Sequence, residues 1–248
     1  MANRTEALLD RFLACLQALD PVAVWAHGSL AGGDYQEGRS DLDLIAVLAG
    51  PVTPRAVWQL GRLHARLRNE PLAPLLHCTY LTPDGAADPE RRHLTWAHGR
   101  LFRRTVTPVT RRELHDFGRV LYGKPPGALL PAVPDRALGD FVVRDQRDFW
   151  RPAVDKAHLW RQTVWVDLGL LTFARATVTV RDGRLISKRR ALDELSALGA
   201  PSEVVADIAR RRYDEGDGPA EEGWPARRAE LTRDYLGPAI DALVTSYA

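Results

Sequence analysis

Leu8, Leu9, Phe12, Leu13, Leu16 and Leu19 recur at helical spacing, which predicts an amphipathic helix over residues 4–19 that stops before Asp20-Pro21. The run Val22–Ala26 is rich in β-formers and reads as a strand. His27-Gly28-Ser29 and a polar, Gly-rich loop through Ser40 come next. Asp41–Leu48 alternates acid and aliphatic before turning wholly apolar, the pattern of a second strand. Pro54–Arg68 reads as a helix, and Leu75–Leu81, bounded by Pro74 and Pro83, as a third strand. Residues 83–100, with Trp96 among them, are polar enough to read as a loop or a broken helix. Leu101–Thr107 is strand-like, and Thr110–Leu121 reads as a helix running into Tyr122-Gly123.

A Pro- and Gly-rich stretch, Gly127–Pro134, suits a linker. Beyond it the pattern changes to long helical periods, roughly 136–149, 155–178, 188–198, 201–214 and 223–247. The predicted class is α+β, with an α/β domain on a small mixed sheet over residues 1–135 and a helical bundle over 136–248. Phe149, Trp150, Trp160, Trp165 and Phe173 are expected in the core of that bundle.

Composition narrows the function classes. With 45% hydrophobic and 27% charged residues, the 248-residue chain has the make-up of a soluble globular protein. A net charge of +2 is too small to argue for nucleic acid, and the arginine pairs are interleaved with acids as on a solvated surface. Cys15 and Cys78 are the 2 cysteines; neither sits in a CxxC or metal spacing, and both read as buried thiols of a reducing cytoplasm. The first residues read as an amphipathic helix rather than a signal peptide, and no apolar run is expected to span a membrane. A cytoplasmic monomer is expected, with neither a membrane nor a nucleic-acid partner.

The segment that carries chemistry is Gly28-Ser29 followed, after a loop, by Ser40-Asp41-Leu42-Asp43-Leu44. Backbone N–H groups at a Gly-Ser turn approach phosphate oxygens closely, because glycine has no side chain in the way. Aspartates at i and i+2 on a strand share a face, so Asp41 and Asp43 can grip one Mg²⁺ together with substrate phosphates. Either feature alone is common on protein surfaces. Combined, they describe a site that bends a triphosphate around a divalent cation.

On these residues the chain resembles the DNA polymerase β-like nucleotidyltransferase superfamily, and within it the streptomycin/spectinomycin-type aminoglycoside adenylyltransferases. A second segment, Arg175 through Asp182-Gly183 to Lys188, is similar to that family's arginine-bearing helix, glycine turn and helix-opening lysine. Tyr122-Gly123 and Val133-Pro134 sit where the family has a Val-Gly and a Val-Pro before its helical domain. The resemblance implies a nucleotidyltransferase domain and a helical domain that clamps nucleotide and substrate. It also implies ATP as co-substrate, Mg²⁺ on Asp41 and Asp43, and AMP transfer to a hydroxyl of an aminoglycoside or aminocyclitol, an antibiotic-resistance activity. Gly28, Ser29, Ser40 and Lys188 would then hold the nucleotide.

One departure stands out. The family has a glutamate on the third strand as general base, and the match puts His77 there. An imidazole can accept a proton at neutral pH but is a poorer Mg²⁺ ligand than a carboxylate, and Asp84 is an alternative base. For the cationic acceptor, the resemblance points to Trp96 and, less directly, to Asp167, with Asp148 and Asp155 upstream. Two other readings remain: a nucleotidyltransferase acting on a protein or RNA, and a relative that binds ATP but has lost turnover through His77.

Overall fold

The computed structural model describes residues 4–214 and 222–247. The helical elements and strands of the first part are α1 (Arg4–Leu16), β1 (Pro21–Ala26), α2 (Gly28–Ala31), β2 (Leu42–Leu48), α3 (Pro54–Leu67) and β3 (Leu76–Leu81). After them come α4 (Pro83–Ala86), β4 (Arg92–Ala97), β5 (Arg100–Thr105), α5 (Pro108–Phe117) and β6 (Arg119–Gly123). The strands form a 6-stranded sheet in the order β5-β4-β3-β2-β1-β6. Only β2 and β3 run parallel, because α3 carries the chain back between them; the other pairings are antiparallel. The expected mixed sheet is present.

The alternation of side chains sorts the strand residues onto two faces. Val24, Ala26, Leu44, Ala46, Cys78 and Tyr80 face α1 and α3, where Leu8, Phe12, Leu60 and Leu63 are buried against them. Ala23, Trp25, Ile45, Val47 and Leu81 face the other way, against Val106, Leu114 and Leu130. Both faces of the central strands are covered, which is why Ile45-Ala46-Val47 is an unbroken apolar run. Each fully buried Leu or Phe here stabilises the fold by about 1.5–3 kcal/mol. Arg111 is buried too; its guanidinium donates to the carbonyls of Val106, Ala86 and Asp88, which fixes the loop before β4.

Three local expectations are corrected. The polar stretch 83–100 contains a strand, β4, whose apolar positions Leu94 and Trp96 alternate with His93 and Thr95; polar residues buried on the second face hide the pattern. The helix expected over 110–121 spans Pro108–Phe117, and after Gly118 the chain pairs with β1 as the edge strand β6. Cys78 is buried, whereas Cys15 is half-buried.

The chain divides into two compact units, Met1–Val133 and Pro134–Ala248. The second holds α6 (Asp135–Asp145), a π-helical turn at Gln146–Trp150, α7 (Arg151–Val154), α8 (Ala157–Trp160), α9 (Thr163–Asp182), α10 (Lys188–Ala197), α11 (Ser202–Tyr213) and α12 (Trp224–Tyr247). The helix expected over 155–178 is therefore broken at Arg161-Gln162. Trp160, Trp150 and Phe173 are core residues as expected, but Phe149 is 52% exposed. Trp160 donates from its indole to the Ala153 carbonyl at 2.8 Å. Its ring lies where a side chain at Gly169 would have to go, 2.7 Å from that residue's missing Cβ.

Among the described residues α9 is long and apolar enough to cross a membrane, which the sequence pattern did not suggest; half of its apolar stretch is buried. It packs against α6, α10 and α12 as the central helix of this unit.

Candidate functional site

Strand β1 ends at Ala26, and the next residues fold over the start of β2. His27 donates its backbone N–H to the Asp43 carbonyl at 3.0 Å. Gly28 then takes a positive φ of 61° and opens α2. A Cβ at Gly28 would stand 2.9 Å from Oδ2 of Asp43, so both backbone angle and space require glycine there. The turn is closed by Gly32 N–H to the Gly28 carbonyl at 2.9 Å and Asp34 N–H to the Ser29 carbonyl at 3.0 Å. Ser40 is buried; its hydroxyl accepts from the Gln36 N–H at 3.1 Å, and its own N–H donates back to the Gln36 carbonyl at 2.8 Å. Ser40 therefore ties the loop together, with its hydroxyl acting as an acceptor within that loop.

Asp41 precedes β2, and Asp43 lies within it, one pleat along. In the parallel register Asp43 is the partner of His77 on β3. The imidazole faces both carboxylates: Nδ1 is 3.7 Å from Asp43 and Nε2 is 3.8 Å from Asp41. These distances exceed direct hydrogen bonds. Among the described residues Nε2 has no hydrogen-bond partner although His77 is buried. Burial works against ionisation of Asp43. The facing His77 and the charges of His27 and Arg104 outweigh it and hold the carboxyl below its ordinary value. Asp43 is thus a carboxylate at neutral pH.

Four further residues complete this face, and no local motif announced them. His27 packs its Nδ1 3.2 Å from Oε2 of Glu113, both buried, so a residue of α5 orients the imidazole before the glycine turn. His98 occupies the hairpin between β4 and β5, where His98 and Gly99 both have positive φ. Its ring meets His77 edge-on, 4.6 Å between centroids. Arg104 on β5 donates from Nε to the Thr79 hydroxyl at 3.4 Å, on the same face of the sheet as His77. The pleat gathers them; only the adjacency of His27 to Gly28 gave any hint in the chain.

The other expected site residues have neighbours of their own. Trp96 is on β4, in register with Cys78, and so on the opposite face from His77 and Asp43. Its ring stacks on His64 at 4.2 Å. The pleat therefore prevents it from forming an aromatic wall beside the carboxylates. Asp84 follows β3, at the far end of that strand from His77, and is not placed to act as a base there. Asp167 gives both oxygens to Arg211 at 2.7 Å, so its charge is already neutralised within the helical unit. Asp148 pairs with Arg147 and Asp155 with Arg151. Lys188 is the first residue of α10 and half-buried, after Ser187, whose hydroxyl caps the helix by accepting from the Arg190 N–H. Arg175 on α9 donates to the Ile186 carbonyl at 2.9 Å and thereby fixes the segment that leads to Lys188.

With this geometry the chain is similar in structure to spectinomycin adenyltransferase AAD(9) from Enterococcus faecialis, solved with ATP and spectinomycin. The TM-score is 0.71 over 95% of this chain and 99% of that one, at 15% sequence identity. The chain has the fold of that adenyltransferase. The expected architecture, a nucleotidyltransferase-type mixed sheet followed by helices, is the one found. Spectinomycin adenyltransferase AAD(9) shares it across nearly its full length although few residues coincide. No protein-family model matches the sequence, and no curated protein does.

Proposed function

We propose that the protein is a Mg²⁺-dependent nucleotidyltransferase that moves AMP from ATP to a hydroxyl of a small molecule, with aminoglycosides and aminocyclitols as the acceptor class. The observation that carries this reading is the approach of Gly28 to Asp43: a turn able to cradle phosphate lies directly against a carboxylate, with Asp41 beside it. Spectinomycin adenyltransferase AAD(9), of the same fold, was solved with ATP and spectinomycin, which supports the choice of nucleotide and acceptor class.

The donor set suits the cation. Asp41 and Asp43 offer hard oxygens, and among the described residues neither is paired with lysine or arginine. No group of three or more His, Cys, Asp or Glu among those residues forms a metal cage. Mg²⁺ commonly takes one or two carboxylates and completes its shell with substrate phosphates and water. Held by Asp41 and Asp43, it would neutralise the charge on the triphosphate and polarise it for attack.

The chain's own groups have separable tasks. Backbone N–H groups at Gly28 and Ser29 are available to phosphate oxygens. His77 is the group set to receive the acceptor's proton, and the imidazolium so formed would face two carboxylates. Lys188, on the strength of the family resemblance, is assigned to the nucleotide phosphates as a point charge.

The test is incubation with ATP, Mg²⁺ and a panel of aminocyclitols and aminoglycosides, read by pyrophosphate release and by mass spectrometry for an AMP adduct. An adduct on one acceptor class is the expected result. ATP binding without any adduct would favour a relative that has lost turnover, a reading that the imidazole between the two carboxylates makes specific. Failure to bind ATP at all would end the proposal.

A further inference from the structure

Strands β2 and β3 end side by side, at the opposite end of the sheet from Asp43 and about 20 Å from it by the length of β2. The segments that follow them, with the start of β4 and Arg103 of β5, enclose a cavity of about 420 Å³. Three arginines line it, Arg91, Arg92 and Arg103, against a single acid, Asp84. Among the described residues none of the three forms an ion pair, and backbone carbonyls hold two of them. Arg92 donates to the Arg103 carbonyl at 2.6 Å and Arg103 to the Arg92 carbonyl at 3.3 Å, which crosses the two side chains over the hairpin. Arg91 lies over Gly85, where a Cβ would come within 2.7 Å of its side chain. The absence of a side chain at Gly85 is what makes room for it.

His93 follows Arg92 at the edge of the same cavity, but the pleat turns its side chain to the other face of the sheet from Leu94 and Arg103. Pro51, Val52 and Leu94 add an apolar wall to the cavity. A volume of this size is in the range of small-molecule sites, which join an apolar lining to a few polar anchors. Arginine is the residue best fitted to hold phosphate oxygens in pairs.

We propose that this cavity is a second ligand site, which binds the phosphoryl group of a small molecule through Arg91 and Arg103 and packs its body on the apolar wall. The proposal does not rest on the transfer reaction. It is tested by titrating inorganic pyrophosphate into the full chain in EDTA, without a divalent cation, followed by calorimetry. Binding is expected, weakened at least tenfold in an Arg91→Gln/Arg103→Gln double variant and tightened about threefold in Asp84→Asn, where the one opposing charge is gone. No binding to the wild-type chain would overturn it, as would affinity that the double variant leaves unchanged. An Asp84→Asn variant that binds no better would do the same, and because it removes no cation it stands as a check if the double variant fails to fold. The assay reads no AMP transfer, so its outcome is independent of the acceptor panel.

Discussion

His77 and Asp43 stand directly opposite each other in the only parallel pairing of the sheet, with the imidazole Nδ1 3.7 Å from the carboxylate. The same ring reaches toward Asp41 with its other nitrogen. A histidine so placed either takes the acceptor's proton or marks a site that has lost its base, and substitution distinguishes the two. His77→Ala is expected to lower transfer by about 10²–10⁴-fold while ATP binding is retained, the usual size of a general-base effect. Unchanged turnover in a steady-state assay would remove His77 from the mechanism.

The carboxylates themselves should separate function from stability. Asp41 is half exposed and among the described residues it forms no ion pair with lysine or arginine, facing the His77 imidazole at 3.8 Å, so Asp41→Asn is expected to change folding stability by no more than about 0.5 kcal/mol. Loss of AMP transfer with an unchanged urea midpoint is the predicted pair of results. A variant with full activity would contradict the assignment.

Gly28→Ala should damage both the turn and the site. The new methyl group would meet Oδ2 of Asp43 at 2.9 Å in a backbone conformation with φ of 61°. A cost of about 1–2 kcal/mol follows from the left-handed conformation alone. ATP affinity, measured by calorimetry with Mg²⁺, should fall as well, because the obstruction sits where phosphate is proposed to approach.

Trp96 is predicted to matter for stability and not for acceptor recognition. It packs on the α1/α3 side of the sheet, stacked on His64. Trp96→Ala should cost about 1–3 kcal/mol in denaturant unfolding, less than truncation of a fully buried aromatic because the ring is only partly buried. If the variant unfolds normally but shows a raised KM for the acceptor, the face assigned to this side chain is wrong.

His64 gives the fold a pH dependence of known sign. Burial pushes its pKa down to about 3, and its Nε2 lies 2.7 Å from the Tyr80 hydroxyl. Its ordinary value is about 6.5, so below that pH the unfolded chain takes up a proton that the folded chain refuses. The stability it contributes is therefore complete above pH 6.5 and declines as the pH falls toward 3, by about 2 kcal/mol at pH 5. Urea unfolding at pH 7 and pH 5 should show this loss in the wild type and a smaller one in His64→Gln. Equal losses in the two proteins would mean that His64 does not titrate in this way.

Much of the architecture was legible in the chain because its cause is local. Leu8, Phe12 and Leu16 repeat with the helical period, and the apolar runs of β2 and β3 announce strands buried on both faces. Strand β4 escaped notice because His93 and Thr95 are polar yet buried, so the alternation was not one of apolar with polar. Strand β6 escaped because its stability comes from backbone pairing with β1, a partner far away in sequence.

The site divides along the same line. By itself the sequence pointed to a turn at Gly28-Ser29, from the glycine, and to a shared side for Asp41 and Asp43, from their i, i+2 spacing at the start of an apolar strand. Only the tertiary structure decided which groups meet those carboxylates. The parallel register delivered His77, the hairpin delivered His98, α5 delivered Glu113 to His27, and the pleat of β4 carried Trp96 away to the other face. Periodicity is a property of neighbours in the chain, whereas register, face and pairing between strands are set by packing among segments the chain keeps far apart.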